Sequence, residues 1–566
     1  MRQSFAAALF ALCLIASPPV LAARDPGVVS AADQRAAAAG AEMLRAGGSA
    51  TDAAIATMLA LGVVEPQSSG IGGGGFLVTG SADGKVETYD GREAAPAAAD
   101  PHWFWKDGKP LDHGDAVPGG RSVGVPGNLA LAAMAHARHG RLPWATLFQP
   151  AIRLARDGFV MTPRLNASLA LFHTTSTLDP ASRALFFGPD GHPLPVGTLI
   201  RNAPLAETLG HIAREGAGWF YHGANARAIS THVVASPVNP APMAESDLAA
   251  YRARAAAPVC APYRQYDVCS MGPPSAGGIV VLQALGMLER FDLKALGPTS
   301  PTAWHLIAEA ERLAFADRDR FVADPAKVPV PTAGLIDPGY IRARSALIRA
   351  DAAMPEAPAG HPAGADDRFA LGGPIDEHGT TEFAAADADG NVASYTSTVE
   401  SGFGSGLVVG GYYLNNELTD FSIEPDVDGK PVANRVEGGK RPRSSMSPVV
   451  VYARKADGTR GAPVLAGGAA GGLTIPVQTI RLLIGTLDWG MTARDAIAQG
   501  VVMPFPQGIA VEAGTPVGAM VPALTALGHA RVVAVPMRLK ANAIENTATG
   551  WVGAADPRSE GASVSP

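Results

Sequence analysis

The sequence predicts a layered α+β protein, with helices packed on the faces of β-sheets, and three observations carry that expectation. Of 566 residues, 47% are hydrophobic and 17% charged, enough to bury a large core and too apolar for intrinsic disorder. Residues 100–300 alternate helical stretches with Pro- and Gly-rich loops, and a well-patterned helix follows over 304–321. Beyond residue 379 the texture turns to strand, with short β-branched and aromatic runs between turn residues, and then to helix again. Gly (65) and Pro (47) fill about a fifth of the chain, against a usual share of about 12%. No collagen-like period or internal repeat accompanies them, so the excess means tight turns and glycine-built backbone sites. At about 100–200 residues per domain, the length allows two to five domains.

Met1-Arg2, the apolar run 5–16 and the small residues Leu21-Ala22-Ala23 read as a secretory signal over residues 1–23. That run is too short to span a bilayer, which takes about 20 residues. The mature chain is therefore expected in the periplasm or outside the cell, with no membrane anchor. Residues 30–63 read as Ala-rich helix, with Ser49 or Thr51 as an N-cap. The glycine run Ser69-Gly70-Ile71-Gly72-Gly73-Gly74-Gly75-Phe76 leads into a strand over 76–79. With the signal gone, Cys260 and Cys269 are the cysteines left, flanking what looks like a turn between two short strands. An oxidising compartment permits a structural bridge between them; the alternative is two free buried thiols. Residues 351–379, rich in Ala, Pro, Gly, Asp and His, read as a mobile, exposed linker. After it, strands around 383–386 and 392–398 flank the turn Asp389-Gly390-Asn391, a hairpin by its turn chemistry. Strands over 448–452 and 462–466 and a helix over 473–487 complete the reading.

The net charge is −7 and no long basic run occurs, which disfavours a nucleic-acid binder. The glycine run contains a literal G-x-G-x-x-G, but helix precedes it and strand follows. A dinucleotide site needs the reverse order, so these glycines read as places where the backbone passes close to another segment. Gly379-Thr380-Thr381, where linker meets strand, carries more chemistry. If the preceding bond is cut, Thr380 becomes a chain terminus, and a free α-amino group with pKa of about 7.7–8 can act as base towards its own hydroxyl. Gly-Thr-Thr alone is equally an ordinary strand start.

Its company is distinctive: Asp389-Gly390-Asn391, Phe403-Gly404-Ser405-Gly406, Leu414-Asn415-Asn416-Glu417-Leu418-Thr419-Asp420-Phe421 and Lys440-Arg441-Pro442-Arg443-Ser444-Ser445-Met446-Ser447-Pro448. Upstream stand Asp90-Gly91-Arg92-Glu93-Ala94-Ala95-Pro96, Gly272-Pro273-Pro274-Ser275-Ala276-Gly277-Gly278 and Ala314-Phe315-Ala316-Asp317-Arg318, and near the C-terminus Ala555-Asp556-Pro557-Arg558-Ser559. In this order the motifs resemble the gamma-glutamyltransferase family (gamma-glutamyltranspeptidase, or glutathione hydrolase) over essentially the whole mature chain. The resemblance implies an N-terminal-nucleophile hydrolase fold, a four-layer αββα sandwich. It also implies a precursor that cuts itself into a large subunit, residues 24–379, and a small catalytic subunit, residues 380–566, which stay together as a heterodimer. Thr380 would be the nucleophile, and Thr398, 18 residues on, the threonine that hydrogen-bonds it. Arg92 with Ser444 and Ser445 would bind the substrate α-carboxylate, a task suited to a planar bidentate donor. Glu417 and Asp420 would grip the α-ammonium, with Glu400 as a third carboxylate. Gly471 and Gly472 would supply oxyanion-hole N–H groups at a helix start.

The implied activity is cleavage of γ-glutamyl amides such as glutathione, with the acyl group passed to water, amino acids or dipeptides. No metal or cofactor is expected, since base and oxyanion donors come from the chain. The stretch 421–440, where some relatives carry a lid, contains no Tyr and is charged here. Two other readings stand beside this one: a relative acting as a glutaryl or cephalosporin acylase, and a secreted binding protein without chemistry. Arg92 together with Glu417 and Asp420 favours an α-amino acid head group.

Overall fold

The computed structural model describes residues 27–372, 379–505 and 507–566; the expected signal over 1–23 lies outside them. Two large sheets form the centre. The first has seven strands in the order Ala562–Val564, Val28–Ala31, Thr381–Ala386, Val392–Thr398, Gly74–Gly80, Val86–Asp90, Arg254–Ala256, with every pairing antiparallel. The second has six, in the order Gly550–Ala555, Lys540–Thr547, Arg460–Ala470, Val449–Arg454, Tyr266–Ser270, Val259–Tyr263, also antiparallel. Thr381–Ala386 packs on Arg460–Ala470 and Lys540–Thr547, so the sheets lie face to face.

Helices cover the two outer faces. Gln34–Arg45 and Ala50–Val64 pack on the first sheet, and Gly277–Leu288 and Thr474–Leu487 on the second. Strand periodicity sorts the core accordingly: Phe383 and Ala385 join the helical side of the first sheet, Ala384 and Ala386 the inter-sheet side. All seven residues of Val392–Thr398 are buried, as a strand covered on both faces requires.

One sequence reading is corrected and two are refined. Residues 30–63 are not helix throughout: Val28–Ala31 is a strand paired with Thr381–Ala386, and the helix breaks at Gly47, whose φ is +85°. Ser49 then caps Ala50–Val64 with a reciprocal capping box to Asp52. The strand expected over 462–466 runs from Arg460 to Ala470. The described part of the expected mobile linker, 351–372, is irregular but tied down. Met354 N–H donates to Glu309 Oε2 at 2.7 Å, Gly360 N–H to Asp317 Oδ1 at 2.8 Å, and Ala353 N–H to Leu527 O at 2.7 Å. Chain without regular structure still has backbone groups to satisfy, and here the long helix Pro301–Phe321 supplies two of the acceptors.

Cys260, on the edge strand Val259–Tyr263, and Cys269, on its neighbour Tyr266–Ser270, are register partners, 4.1 Å apart at Cα and joined by a disulfide. The charged stretch 421–440 folds over the linker: a small hairpin pairs Asp426–Val427 with Lys430–Pro431, and Ala370 N–H donates to Pro431 O at 2.9 Å. Among the described residues no helix is long and apolar enough to cross a membrane.

Candidate active site

Thr380 stands at the start of Thr381–Ala386, a strand in the interior of the first sheet, and is 6% exposed. The register pairs Thr381 with Ser397, and one step further it sets Thr380 opposite Thr398. The two hydroxyls lie 3.2 Å apart. Thr380 Oγ1 touches the Gly379 carbonyl, to which Thr398 Oγ1 also donates at 3.0 Å. Thr398 in turn accepts from the Glu400 N–H at 2.8 Å. A hydroxyl bonded to the carbonyl oxygen of its own preceding residue stands beside the carbon that an N-to-O acyl shift would attack. Only glycine fits at 379, because a Cβ there would sit 2.2 Å from the Glu400 carbonyl oxygen. Glu400 itself has φ +75°, an uncommon conformation for a residue with a side chain.

The second sheet supplies the opposite wall. Arg460–Ala470 ends in Gly471 and Gly472, at φ +119° and +59°, before helix Thr474–Leu487. Thr474 Oγ1 donates to Gly471 O at 2.7 Å and Gln478 Nε2 to Ala470 O at 2.8 Å, fixing the turn through its carbonyls. Gly471 lines a cleft of about 310 Å³ together with Gly379 and Thr380. Backbone N–H groups at such a helix start suit a developing oxyanion.

Arg92, just past strand Val86–Asp90, is 1% exposed. Its Nη1 pairs with Glu417 and its Nη2 with Asp420, both on the short turn Glu417–Asp420. Nη2 also donates to Arg443 O at 2.6 Å, and Nε to Pro442 O at 3.2 Å. Sequence reasoning set Arg92 and the two acids at opposite ends of a substrate head group; the structure pairs them directly. Buried charges of both signs are costly unless neutralised, and these three are each other's neighbours. Ser444 and Ser445 follow the two carbonyls that hold Arg92. Ser444 Oγ accepts from the Met446 N–H at 3.2 Å, and Ser445 Oγ from Arg318 Nη2 at 2.8 Å. Glu400 accepts from Asn416 Nδ2, the residue before Glu417. A bonded path thus runs from Thr380 through Thr398, Glu400 and Asn416 to the Arg92 cluster.

Other charged groups at the site carried no assignment from the sequence. Glu93, inside the Asp90–Pro96 motif, is fully buried, and burial pushes its carboxyl up to about 7 against the pull of Arg92. Burial likewise pushes Glu382 up to about 8, opposed by the hydroxyls of Thr396 and Ser394. Lys540 lines the Thr380 cleft and donates from Nζ to Glu65 Oε2 at 3.2 Å and Ser68 Oγ at 3.1 Å. It belongs to no motif, so only the fold reveals it. Among the described residues His305, Glu309 and His529 stand close enough together to hold a metal ion. Glu309 there accepts from Arg312 Nη1 at 2.7 Å, and the two imidazoles are hydrogen-bonded at 2.8 Å.

A family model described as gamma-glutamyltranspeptidase matches residues 36–565. A glutathione hydrolase proenzyme of Escherichia coli is 34% identical over 477 residues, covering 83% of this chain and 79% of that one. An acylase ACY 1 proenzyme of a Pseudomonas species is 35% identical over 547 residues, covering 95% and 93%. Among solved structures, the cephalosporin acylase of Bacillus halodurans superposes with a TM-score of 0.83 at 28% identity, over 97% of this chain and 98% of that one. The helix–sheet–sheet–helix layering is that of the N-terminal-nucleophile hydrolases, the fold of these relatives. The chain belongs to the gamma-glutamyltranspeptidase family.

Proposed function

We propose that this protein is an exported, self-processing γ-glutamyl transferase and hydrolase with Thr380 as its nucleophile. The observation that supports it most is the joining of two features: a threonine hydroxyl set on the Gly379 carbonyl, and a bonded cluster holding both charges of an α-amino acid head group.

In maturation, Thr380 Oγ attacks the Gly379 carbonyl carbon while the amide nitrogen leaves protonated, giving an ester. The shift frees the Thr380 amine; water then cleaves the ester, releasing the Thr380 hydroxyl and a Gly379 carboxylate and leaving residues up to Gly379 as a large subunit bound to the small one. In turnover, the freed amine takes the hydroxyl proton as Oγ attacks the substrate γ-carbonyl. Thr398 orients the nucleophile, and Gly471 and Gly472 N–H groups hold the oxyanion. The protonated amine of the substrate departs, and a γ-glutamyl ester remains on Thr380. Water, an amino acid or a dipeptide accepts the acyl group. The head group enters by ion-pair exchange: its carboxylate replaces the acids on Arg92, beside Ser444 and Ser445, while its ammonium takes Glu417 and Asp420.

An acylase reading has one observation in its favour, the near full-length match to an acylase proenzyme and to a cephalosporin acylase structure. A glutaryl chain lacks the α-ammonium, however, and would leave Glu417 and Asp420 buried without a cation from the ligand. One preparation tests both readings. The purified protein should give two bands, the smaller beginning Thr-Thr-Glu-Phe, and should turn over a γ-glutamyl anilide faster than the glutaryl anilide. Thr380→Ala should stay one inactive chain. An active single-band protein, or preference for the glutaryl donor, rejects the proposal.

A further inference from the structure

Between the two sheets lies an acid with no part in the chemistry proposed above. Glu382 follows Thr380 by two residues on the inter-sheet face of its strand, and its side chain is fully buried. Its register partner Thr396 donates to Oε2, and Ser394 Oγ lies 2.8 Å from Oε1. Ser394 Oγ also lies 3.0 Å from Gly467 O, on the strand of the second sheet that leads into Gly471. The carboxyl rests on Gly468 of that strand, where a Cβ would stand 3.2 Å from Oε2. The neighbouring strand of the second sheet reaches the same residue through Asn542 Nδ2, which donates to Glu382 O at 2.9 Å. Titratable groups on the elements packed against Glu382's strand turn to other partners. Lys540 bonds Glu65 and Ser68, Glu545 the Ala493 N–H, and Arg460 the Gly84 carbonyl. Asp52 accepts from the Ser49 and Arg141 N–H groups, and Tyr395 donates to Asn128. Among the described residues no charged side chain bears on the acid.

This network is one proton short unless the acid carries it. Ser394 has a single hydroxyl hydrogen and two oxygens in reach, Glu382 Oε1 and Gly467 O. A carboxylate would claim that hydrogen and leave the bond to Gly467 unmade. A carboxylic acid instead donates its own O–H to Ser394 Oγ, Ser394 donates on to Gly467 O, and Thr396 donates to Oε2, so every hydrogen has an acceptor. We propose that Glu382 is a positioning residue that works as a neutral acid: through Ser394 it clasps the strand beginning beside Thr380 to the strand ending at Gly471 and Gly472. Its role in catalysis rests on the γ-glutamyl reading above. Nucleophile and oxyanion donors stand on different sheets, and a bond across the sheets at this point sets their separation. Burial pushes Glu382 up to about 8, with the two hydroxyls opposing, in agreement with the count of protons. An unfolded glutamate loses its proton at about 4.3. The stability that the bound proton contributes is therefore complete below about pH 4.3, is lost as pH rises towards about 8, and changes no further above that.

The test compares wild type with Glu382→Gln and Glu382→Leu as purified full chains. Glutamine copies the neutral acid, with Nε2 donating to Ser394 and Oε1 accepting from Thr396; leucine fills the space and offers neither bond. Towards a γ-glutamyl anilide at pH 7, Glu382→Gln should keep kcat within about threefold of wild type. Glu382→Leu should lose roughly tenfold in kcat with KM nearly unchanged, because the head-group clamp is untouched. Melting temperature followed from pH 5 to 9 reads the proton itself. Wild type should lose ground against Glu382→Gln up to about pH 8 and run parallel to it beyond. A constant difference between the two from pH 5 to 8 overturns the neutral acid, and this holds whether or not Glu382→Leu folds. Glu382→Gln as impaired in kcat as a folded Glu382→Leu, or Glu382→Leu with wild-type kcat, overturns the clasp while leaving the γ-glutamyl reading intact. Wild type that turns over no γ-glutamyl anilide overturns that reading and the catalytic role with it, and the melting comparison still decides the acid.

Discussion

The two charged regions near Thr380 are built on different plans. At the clamp both signs are present and buried: Arg92 is held by Glu417 and Asp420, with side chains 1–2% exposed. In the cleft the lining is cationic only, graded from buried Lys540 to exposed Arg538. A closed site carrying both charges can recognise a zwitterion by exchanging one ion pair for another, and it rejects ligands that lack either charge because a buried partner is then stranded. An open wall of one sign recognises an anion and little else about its shape. On the proposed reading, the difference makes the enzyme strict towards the donor head group and tolerant towards the leaving and accepting amines.

Breaking the clamp should have the largest effect. Arg92→Ala strands two buried carboxylates, and kcat/KM towards a γ-glutamyl anilide should fall a hundredfold or more; Asp420→Asn, which keeps the shape, should cost roughly tenfold. If both variants handle γ-glutamyl and glutaryl anilides with wild-type kinetics, the clamp is not a zwitterion site. Breaking the cleft should act on stability first. Glu65→Gln leaves Lys540 and Arg164 without their shared acid, and removing one partner of a buried pair costs about 3–5 kcal/mol. The melting temperature should fall by several degrees, and Lys540, without the acid that opposes its downward shift, should lose its charge at lower pH than in the wild type. An unchanged melting temperature would show that Glu65 does not hold these two cations.

How far the sequence discloses these two regions depends on where their contacts lie. Thr380 opposite Thr398 follows from local chemistry, since the turn Asp389-Gly390-Asn391 sets the hairpin register that joins them. The strand Val28–Ala31 is hidden among Ala-rich helical sequence because its partner, Thr381–Ala386, lies more than 350 residues away. The direct pairing of Arg92 with Glu417 and Asp420 is equally non-local, at sequence separations of 325 and 328. Residues 351–372 look structureless, yet the acceptors that tether them sit on Pro301–Phe321, and composition says nothing of that. Lys540 is the extreme case: one lysine between Leu539 and Ala541, with no motif around it, becomes a cleft residue only when the second sheet packs on the first.

The smallest expected effect is the one that separates the regions by pH. Arg92 stays charged at any working pH, but Lys540, drawn down to about 8 by burial, is charged below that value and neutral above it. The charged groups acting on it are Glu65, Arg164 and Asp33, and Ser68 accepts a hydrogen bond from it. On the proposed reading a Thr380 amine freed by processing must be neutral to act as base, and since α-amino groups ordinarily titrate at about 7.7–8, activity towards every donor should rise with pH there. That rise is common to γ-glutamyl-4-nitroanilide and its 3-carboxy derivative and cancels in their ratio. The preference for the carboxylated donor, measured as a ratio of kcat/KM values and therefore reporting the free enzyme, should be full near pH 6.5. It should decline two- to threefold as pH passes through about 8, less than in Lys540→Met because the neutral amine still offers a hydrogen bond. In Lys540→Met the ratio should be low and flat across the same range. A wild-type ratio that is equally flat from pH 6.5 to 9.5 would mean that Lys540 does not meet the carboxylate, whatever its variants do to stability.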